Sequence, residues 1–387
     1  MTGLARMSAN ETAEECLEDG GSDDMNMGSV EAYISLYILP TVCVFGIFGN
    51  LLNLTILTRQ KLQKSFRTLE QAANLCLISL ALSDFMFCVL AFLTMFVPAD
   101  RIFPDRGLLF LYGRYAHGMI NIFIMESTML TVAMSLERFM AICYPLRQDL
   151  YLTTRRTKYI IVCTFIFSIL FNIPVMFRFQ PVVICAFNSS IDSNDVSFHD
   201  NGNISAILTT SASLHSTPSP RVSSSVRYSL ATVPLYNTAA LDTAYRIAWA
   251  LVGNFIPLIL LIFFNVRLCR KIFSSYKKRR HLGRQDQPRS SHILTLTLVA
   301  IVLLFFLLVA PSETVLFVMQ MSDSTSLPAV EAVLNLMQAI NFSVNFILYC
   351  IISPHFRKML KYLFVCGCYR IYTHSKDWKK EFETSLM

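Results

Sequence analysis

Charged side chains within long apolar stretches are the first feature of this chain that could do chemistry. Asp84, Glu126 and Glu313 each lie inside such a stretch, and Glu137-Arg138 stands at the end of another. A charge at the centre of a bilayer costs about 2.5–3.5 kcal/mol or more, so carboxylates at that depth mark functional positions. The sequence shows no Cys/His metal motif, no glycine-rich phosphate loop and no Ser/His/Asp arrangement, so an enzyme is not expected.

Seven apolar stretches must position these groups. The 387 residues are 54% hydrophobic and 15% charged, and the mean hydropathy is +0.49. Each stretch contains about 20 mainly apolar residues, which is the length of helix that crosses about 30 Å of hydrocarbon. The predicted fold class is an all-α membrane protein in which residues 32–352 form a seven-transmembrane helix bundle. We expect spans near residues 32–58, 74–97, 109–143, 158–177, 245–272, 292–320 and 330–352.

The placement of Lys and Arg predicts the topology of this bundle. The net charge is +7, yet residues 1–31 form an acidic tail, and basic clusters follow spans 1, 3 and 5. Basic loops stay in the cytoplasm, so the N-terminus is expected outside a plasma membrane that the chain crosses several times. Clusters beside the membrane favour anionic lipids and an acidic cytosolic partner over nucleic acid. The acidic tail lacks the pattern of a signal peptide, so the first helix is expected to serve as the membrane address.

The acidic tail and a long loop over residues 178–243 are extracellular in this topology. Glycosylation sequons in these segments begin at Asn10, Asn188 and Asn203. Cys16 and Cys185 are the cysteines of these segments, and in an oxidising environment they either pair or stay free.

Residues 353–387 follow the last span. Ser353-Pro354 ends the span, and apolar residues then recur at helical spacing over His355–Phe364 with basic residues between them. This pattern predicts a short cytoplasmic amphipathic helix on the membrane surface. Cys366 and Cys368 come next, and their lipidation would add a second anchor; free surface cysteines are the alternative.

Short motifs occur in the spans in a fixed order. They are Gly49-Asn50, Leu80-Ala81-Leu82-Ser83-Asp84, Glu137-Arg138-Phe139, Pro257, Pro311 and Asn345-Phe346-Ile347-Leu348-Tyr349. On these motifs the chain resembles rhodopsin-like (class A) G protein-coupled receptors over all seven spans and the amphipathic helix. Within that family, Gly49–Asn53, Asn172-Ile173-Pro174 and Ile340–Phe346 look most like FMRFamide-type neuropeptide receptors of invertebrates.

The resemblance implies a polar switch around Asp84. In the family this carboxylate faces an asparagine of span 1, a serine of span 3 and amides of span 7, and it can hold a sodium ion. The matching residues here are Asn50, Ser127, Asn341, Asn345 and Tyr349. A sodium ion at Asp84 is the metal that this implies, no other cofactor is expected, and the polar cluster is expected to rearrange on activation.

The end of span 3 is the predicted coupling site. The resemblance implies that Glu137 and Arg138 hold the resting state and that Arg138 then meets the C-terminal helix of a heterotrimeric G protein. Residues 289–292 at the start of span 6 contain no carboxylate, so an ion pair between spans 3 and 6 is not expected.

Several positions depart from the family pattern. The cysteine usual at the top of span 3 is Gly113, so the usual loop disulfide is not expected. Span 7 has Phe346 where a proline is usual, and Leu308–Pro311 of span 6 contains no aromatic residue. Activation is therefore expected to use other side chains, such as Phe305 or Phe306.

The outer part of the bundle is the predicted ligand pocket. Ile120 stands where amine receptors carry an aspartate, which disfavours an amine ligand. Glu313 is expected to point into the outer cavity, where a carboxylate suits a cationic group such as an arginine side chain. Pairing of Glu313 with Gln338 is the alternative. Asn121, His117 and Gln338 are further pocket candidates, whereas Glu126 is expected to serve helix packing or to hold a proton.

These features predict a receptor for an extracellular neuropeptide, a short amidated and cationic peptide such as an RFamide, that activates a heterotrimeric G protein. A receptor for another ligand class and a receptor-like protein that no longer signals are alternatives. An ion-coupled transporter that uses the membrane carboxylates is a third. Inverted repeats or broken helices would support the transporter, and the sequence shows neither.

Overall fold

Seven helical spans form the bundle in the computed structural model, which describes residues 27–62, 68–98, 101–144, 153–187, 224–233, 239–282, 289–321, 328–354 and 356–363. Six helices in this part of the chain are long and apolar enough to cross a membrane, and a bent helix pair supplies the seventh span. Each span contains most of the stretch predicted for it. In order, their bounds are Met27–Tyr33, Ile34–Ile38 and Leu39–Leu62; Thr68–Leu93 and Thr94–Phe96; Leu108–Cys143; Thr154–Met176; Ala239–Trp249, Ala250–Phe255 and Ile256–Leu282; Arg289–Leu304, Phe305–Val309 and Ala310–Met321; Pro328–Ser343 and Asn345–Ile352.

Three of the spans contain a π-helical segment that ends two residues before a proline. A proline has no N–H, and its ring clashes with the carbonyl four residues earlier, which lies inside the π segment in each case. The wider π turn accommodates that clash, so the helix continues through the proline. The segments and their prolines are Ile34–Ile38 with Pro40, Ala250–Phe255 with Pro257, and Phe305–Val309 with Pro311.

Span 7 bends by 41° between its two helices, although no proline lies there. Two backbone hydrogen bonds flank the bend: Val344 N donates to Ile340 O at 3.0 Å, and Leu348 N donates to Val344 O at 3.2 Å. Ser343 Oγ donates to Val42 O of span 1 at 3.0 Å. The sequence predicts no broken helix, and the structure differs from that prediction by this kink, which contact with span 1 supports.

A three-stranded antiparallel sheet covers one end of the bundle, named here the sheet end. Its strands are β1 (Ile102–Phe103), β2 (Phe179–Phe187) and β3 (Ser224–Thr232), in the order β1-β3-β2. Phe179 pairs with Thr232 at one end of the β2–β3 ladder, and Phe187 pairs with Ser224 at the other. This sheet was not predicted from the sequence, and it places part of the long loop over the ends of the spans.

Apolar packing joins the sheet to the top of span 3. Phe103 of β1 and Leu230 of β3 are buried with Phe110 of span 3. Gly113 leaves room for this contact, since a Cβ there would lie 2.9 Å from Phe103 Cζ. The ring of Phe103 therefore occupies the space beside the position where the family usually has a cysteine.

The opposite end of the bundle carries the predicted amphipathic helix, and residues 356–363 are helical. Arg357 Nη1 donates to the carbonyls of Cys350 at 3.0 Å and Ile351 at 2.7 Å, which satisfies the end of span 7. The apolar side of the helix packs against a buried cluster of spans 1, 2, 3, 6 and 7 through Phe356, Met359, Leu360 and Leu363. The amphipathic helix is thereby confirmed.

Candidate functional site

A cavity of about 400 Å³ lies between the spans at the sheet end. This volume is within the usual range of small-molecule pockets. All four side chains predicted to contact a ligand line it: His117, Asn121, Glu313 and Gln338. They come from spans 3, 6 and 7.

Glu313 and Gln338 are bonded to each other in the cavity wall. Gln338 Nε2 donates to Glu313 Oε1, and no ion pair to Glu313 is formed among the described residues. The two predictions for Glu313, contact with the cavity and pairing with Gln338, are therefore compatible. A carboxylate that has only a neutral amide donor keeps the capacity to accept from a cationic ligand group.

Apolar and aromatic side chains form much of the remaining wall. Ile120, Ile124 and Phe87 line the cavity from spans 2 and 3. Trp249 Nε1 and Tyr245 OH of span 5 both donate to Asn172 Oδ1 of span 4, each at 3.3 Å, and both rings also line the cavity. These hydrogen bonds fix the two aromatic rings between spans 4 and 5.

The cavity wall also has a cationic part, which was not predicted from the sequence. Arg178, which follows span 4, and Arg246 of span 5 line the cavity. Both form ion pairs with Asp242, Arg178 Nη2 at 3.2 Å and Arg246 Nε at 2.6 Å. The spacing of Asp242 and Arg246 by four residues at the start of span 5 is a sequence signal that could have pointed to one of these pairs.

The polar cluster around Asp84 joins spans 2, 3 and 7. Ser127 Oγ donates to Asp84 Oδ1 at 2.9 Å, and Asn345 Nδ2 donates to Asp84 Oδ2 at 2.6 Å. Asn50 Nδ2 instead donates to Phe342 O at 2.9 Å, so it supports span 7 through its backbone. Tyr349 is buried one helical turn beyond Asn345, in the apolar cluster at the opposite end from the sheet.

A small cavity of about 10 Å³ adjoins this cluster and is lined by Ser127, Asn341, Asn345 and Phe305 among others. Its size is close to that of one water molecule. Asp84 is not in its lining, and both carboxylate oxygens already accept hydrogen bonds. Each oxygen keeps a second lone pair, which a sodium ion could contact. The sodium site stays a prediction.

The end of span 3 away from the sheet holds Glu137 and Arg138, both buried. Thr157 Oγ1 of span 4 donates to Glu137 Oε1 at 2.7 Å, and Cys76 Sγ of span 2 donates to Glu137 Oε2 at 3.7 Å. Glu137 is thus held by two neighbouring spans, and its predicted role with Arg138 in coupling stays a prediction.

Glu126 faces span 4. Thr164 Oγ1 donates to its Oε1 at 3.1 Å, and Ser168 Oγ donates to its Oε2 at 3.3 Å. Two interhelical hydrogen bonds on a buried carboxylate are what the expected packing role requires.

Several predicted positions lie outside the described residues: Asn10, Asn188, Asn203, Cys16, Cys366 and Cys368. Cys185 lies in β2 opposite Val226 of β3, and its side chain belongs to the part that the structure does not describe. The glycosylation, disulfide and lipidation predictions therefore stay predictions.

Comparison with known proteins places this geometry in a family. Residues 49–209 and 205–349 match the family of 7 transmembrane receptors (rhodopsin family). The chain is 26% identical to an FMRFamide receptor of Drosophila melanogaster over 344 residues, which are 87% of this chain and 54% of that receptor. It therefore spans about half the length of that relative.

Two further relatives agree with this assignment. One is a protein of Caenorhabditis elegans described as a G-protein coupled receptor, 26% identical over 89% of this chain and 76% of its own length. The other is a cholecystokinin receptor of Xenopus laevis, 30% identical over 37% of this chain and 30% of its own length. Since the family match covers more than half of the chain, the chain belongs to the rhodopsin family of seven-transmembrane receptors.

Proposed function

We propose that this chain is a plasma-membrane receptor that binds a short amidated, cationic peptide from outside the cell and activates a heterotrimeric G protein. The N-terminus and the sheet end face the exterior in this proposal. The names of the FMRFamide and cholecystokinin receptors among its relatives support a peptide ligand. Binding would shift the bundle toward a state in which the opposite end admits the G protein.

The observation that carries the ligand class is the carboxylate of Glu313 in the cavity wall. Its described donor is the neutral amide of Gln338, so a guanidinium or ammonium of the ligand can supply the missing positive charge. The aromatic rings of Trp249 and Tyr245 face the same cavity and suit the apolar side chains of such a peptide.

A charge-matched peptide pair tests this assignment in cells that express the receptor. Phe-Met-Arg-Phe-amide is compared with Phe-Met-Gln-Phe-amide on the wild type and on Glu313→Gln, with G protein activation as the readout. Loss of one partner of a buried charged pair costs roughly 2 kcal/mol or more, so the arginine peptide should lose about thirtyfold in potency on Glu313→Gln. The glutamine peptide should have the same potency on the wild type and on Glu313→Gln.

Glu331→Gln is the matched control, because Glu331 lies in the first turn of span 7 and outside the cavity lining. The arginine peptide should have the same potency on Glu331→Gln as on the wild type. An equal loss of potency for both peptides on Glu313→Gln would show that Glu313 does not contact the cationic group of the ligand. Silence toward peptides and G proteins, with normal surface expression, would favour another ligand class or a receptor that no longer signals.

The ion-coupled transporter remains the second function to test. Its support is the kink of span 7, which lies beside the Asp84 cluster. The family match favours the receptor. Flux of sodium or protons into vesicles that contain the purified protein would decide for the transporter.

A further inference from the structure

We propose that Arg178 and Arg246 form an anion-accepting subsite in the same cavity, so that the ligand carries a carboxylate as well as a cation. This inference rests on the proposed function in one respect: the cavity at the sheet end is taken as the peptide site. It adds a second charged contact of opposite sign, on the wall formed by the end of span 4 and by span 5.

The first support is the count of charges in this part of the wall. Arg178 and Arg246 share one carboxylate, Asp242, which takes one nitrogen from each guanidinium. Both arginines line the cavity, whereas Asp242 does not. One positive charge of the three-residue group is therefore unbalanced, and the cationic side chains are those on the cavity wall.

The second support is unused hydrogen-bonding capacity. Each guanidinium has five N–H donors, and Arg178 Nε is buried without a hydrogen-bond partner among the described residues. A ligand carboxylate can accept two parallel N–H bonds from one guanidinium, which is the geometry that arginine favours. A lysine ammonium does not provide two parallel N–H donors in a fixed plane.

The third support is the contrast with other arginines at the sheet end. Arg101 lies over the ring of Phe179, Arg106 over Tyr228 and Arg114 over Tyr115. These contacts turn the guanidiniums toward aromatic rings of the sheet and of span 3, and none of the three residues lines the cavity. Arg178 and Arg246 are thus placed differently, with their charges directed at one carboxylate and one cavity.

The subsite faces a cavity that also contains Glu313 from span 6. A ligand that satisfies both walls has a cation and a carboxylate at one end of a short peptide. Two chemical sources can provide the carboxylate: an acidic side chain near the cation, or a free C-terminus in place of the amide. The shared chemistry is a carboxylate, and the experiment separates the sources.

Three synthetic peptides that differ in one group serve as probes of the purified full-length receptor in lipid nanodiscs. The neutral parent is Asn-Phe-Met-Arg-Phe-amide, the side-chain acid is Asp-Phe-Met-Arg-Phe-amide, and the terminal acid is Asn-Phe-Met-Arg-Phe with a free carboxyl group. Equilibrium binding is measured for each, so that the result does not depend on signalling. One of the two acids should bind at least about tenfold more tightly than the parent.

Variants locate the source of that preference. The ratio of the affinity for the preferred acid to the affinity for the parent should fall to about one in Arg178→Gln and in Arg246→Gln. This ratio should stay unchanged in Glu313→Gln, which lowers the affinity for all three probes alike. Asp242→Asn removes the internal competitor for both guanidiniums, so the ratio should rise. Arg106→Gln is the matched control, an arginine of the sheet end outside the cavity lining, and should leave the ratio unchanged.

Equal binding of the three probes to the wild type would overturn the subsite, as would an acid preference that persists in both arginine variants. Failure of both acidic probes to bind at millimolar concentration would also overturn it. Acid-selective binding without any G protein response would support the subsite and count against the proposed function alone. The two proposals can therefore fail separately.

Discussion

At the scale of single residues, neutral donors connect buried and half-buried carboxylates across the bundle. Asp84, Glu126, Glu137 and Glu313 each accept a hydrogen bond from a hydroxyl or amide group of another span. An unpaired polar group in hydrocarbon costs several kcal/mol, so each bond opposes separation of the two spans that it joins. These carboxylates therefore contribute to helix packing in addition to any role in binding or switching.

Thr157 provides a direct test of this account. Thr157→Val keeps the size of the side chain and removes the donor to Glu137 Oε1, whose bond length is 2.7 Å. A buried acceptor that loses its partner costs roughly 1–3 kcal/mol, so the purified protein should melt at a lower temperature. Thr157→Ser retains the hydroxyl and should melt close to the wild type. Equal melting of the valine variant and the wild type would show that the bond contributes no stability.

The residues of the candidate site differ in how far the sequence could predict them. Glu313 and Gln338 could be predicted because the resemblance to the receptor family, through Pro311 and the span 7 motif, implies which helix faces border the outer cavity. Arg178 and Asp242 could not be paired in this way. They lie on opposite sides of a loop of more than fifty residues, and their contact depends on how spans 4 and 5 pack.

At the scale of elements, close contact between spans 1 and 7 depends on glycine. A Cβ on Gly46 would clash with Ser343 Oγ and lie 2.5 Å from Cys88 Sγ, and a Cβ on Gly49 would lie 3.0 Å from Phe346 Cβ. The two glycines, three residues apart, share one helix face and face the kink of span 7. The kink and the close packing are thus parts of one contact.

Gly46→Ala should weaken this contact. The added methyl group displaces Ser343, whose hydroxyl bonds Val42 O, and overpacking of this kind costs typically 1–3 kcal/mol. The expected result is a lower melting temperature and reduced surface expression. Gly253→Ala is the matched control, since a Cβ there meets its nearest atom, Met125 Cε, at 3.4 Å. A Gly46→Ala variant with the melting temperature and surface expression of the wild type would contradict the proposed contact.

Local sequence predicted the spans better than the details within them. Length and hydropathy define each span because the bilayer demands about 20 apolar residues per helix. The prolines at 40, 257 and 311 signal local distortion, and their position after each π segment gives it a physical cause. The kink near Val344 has no such residue, and the β2–β3 pairing joins distant segments, so neither could be predicted from local pattern.

At the scale of the whole molecule, the basic clusters and the sheet define two different ends. The described C-terminal ends of spans 1, 3 and 5, which the basic clusters follow in the sequence, lie at the end that carries residues 356–363. The cavity and the sheet lie at the other end. The positive-inside rule then predicts that the cavity opens to the exterior. This orientation is required for a peptide receptor, since the ligand arrives from outside.

Glycosylation and epitope access test this orientation together. An antibody should stain an N-terminal epitope on intact cells and a C-terminal epitope only after permeabilisation. Treatment with a peptide N-glycosidase should lower the apparent mass of the wild type. The same treatment should leave the triple variant Asn10→Gln, Asn188→Gln, Asn203→Gln unchanged. Staining of the C-terminal epitope on intact cells would reverse the proposed topology.

Nucleotide exchange on purified heterotrimeric G proteins, catalysed by the receptor in nanodiscs, tests the central claim most directly. We expect Phe-Met-Arg-Phe-amide to accelerate exchange in a saturable manner. We also expect Glu313→Gln to shift the required peptide concentration upward by about thirtyfold, by loss of a charged contact. No acceleration with any G protein class, from a receptor that is folded and binds the peptide, would contradict the claim that binding in this cavity drives signalling.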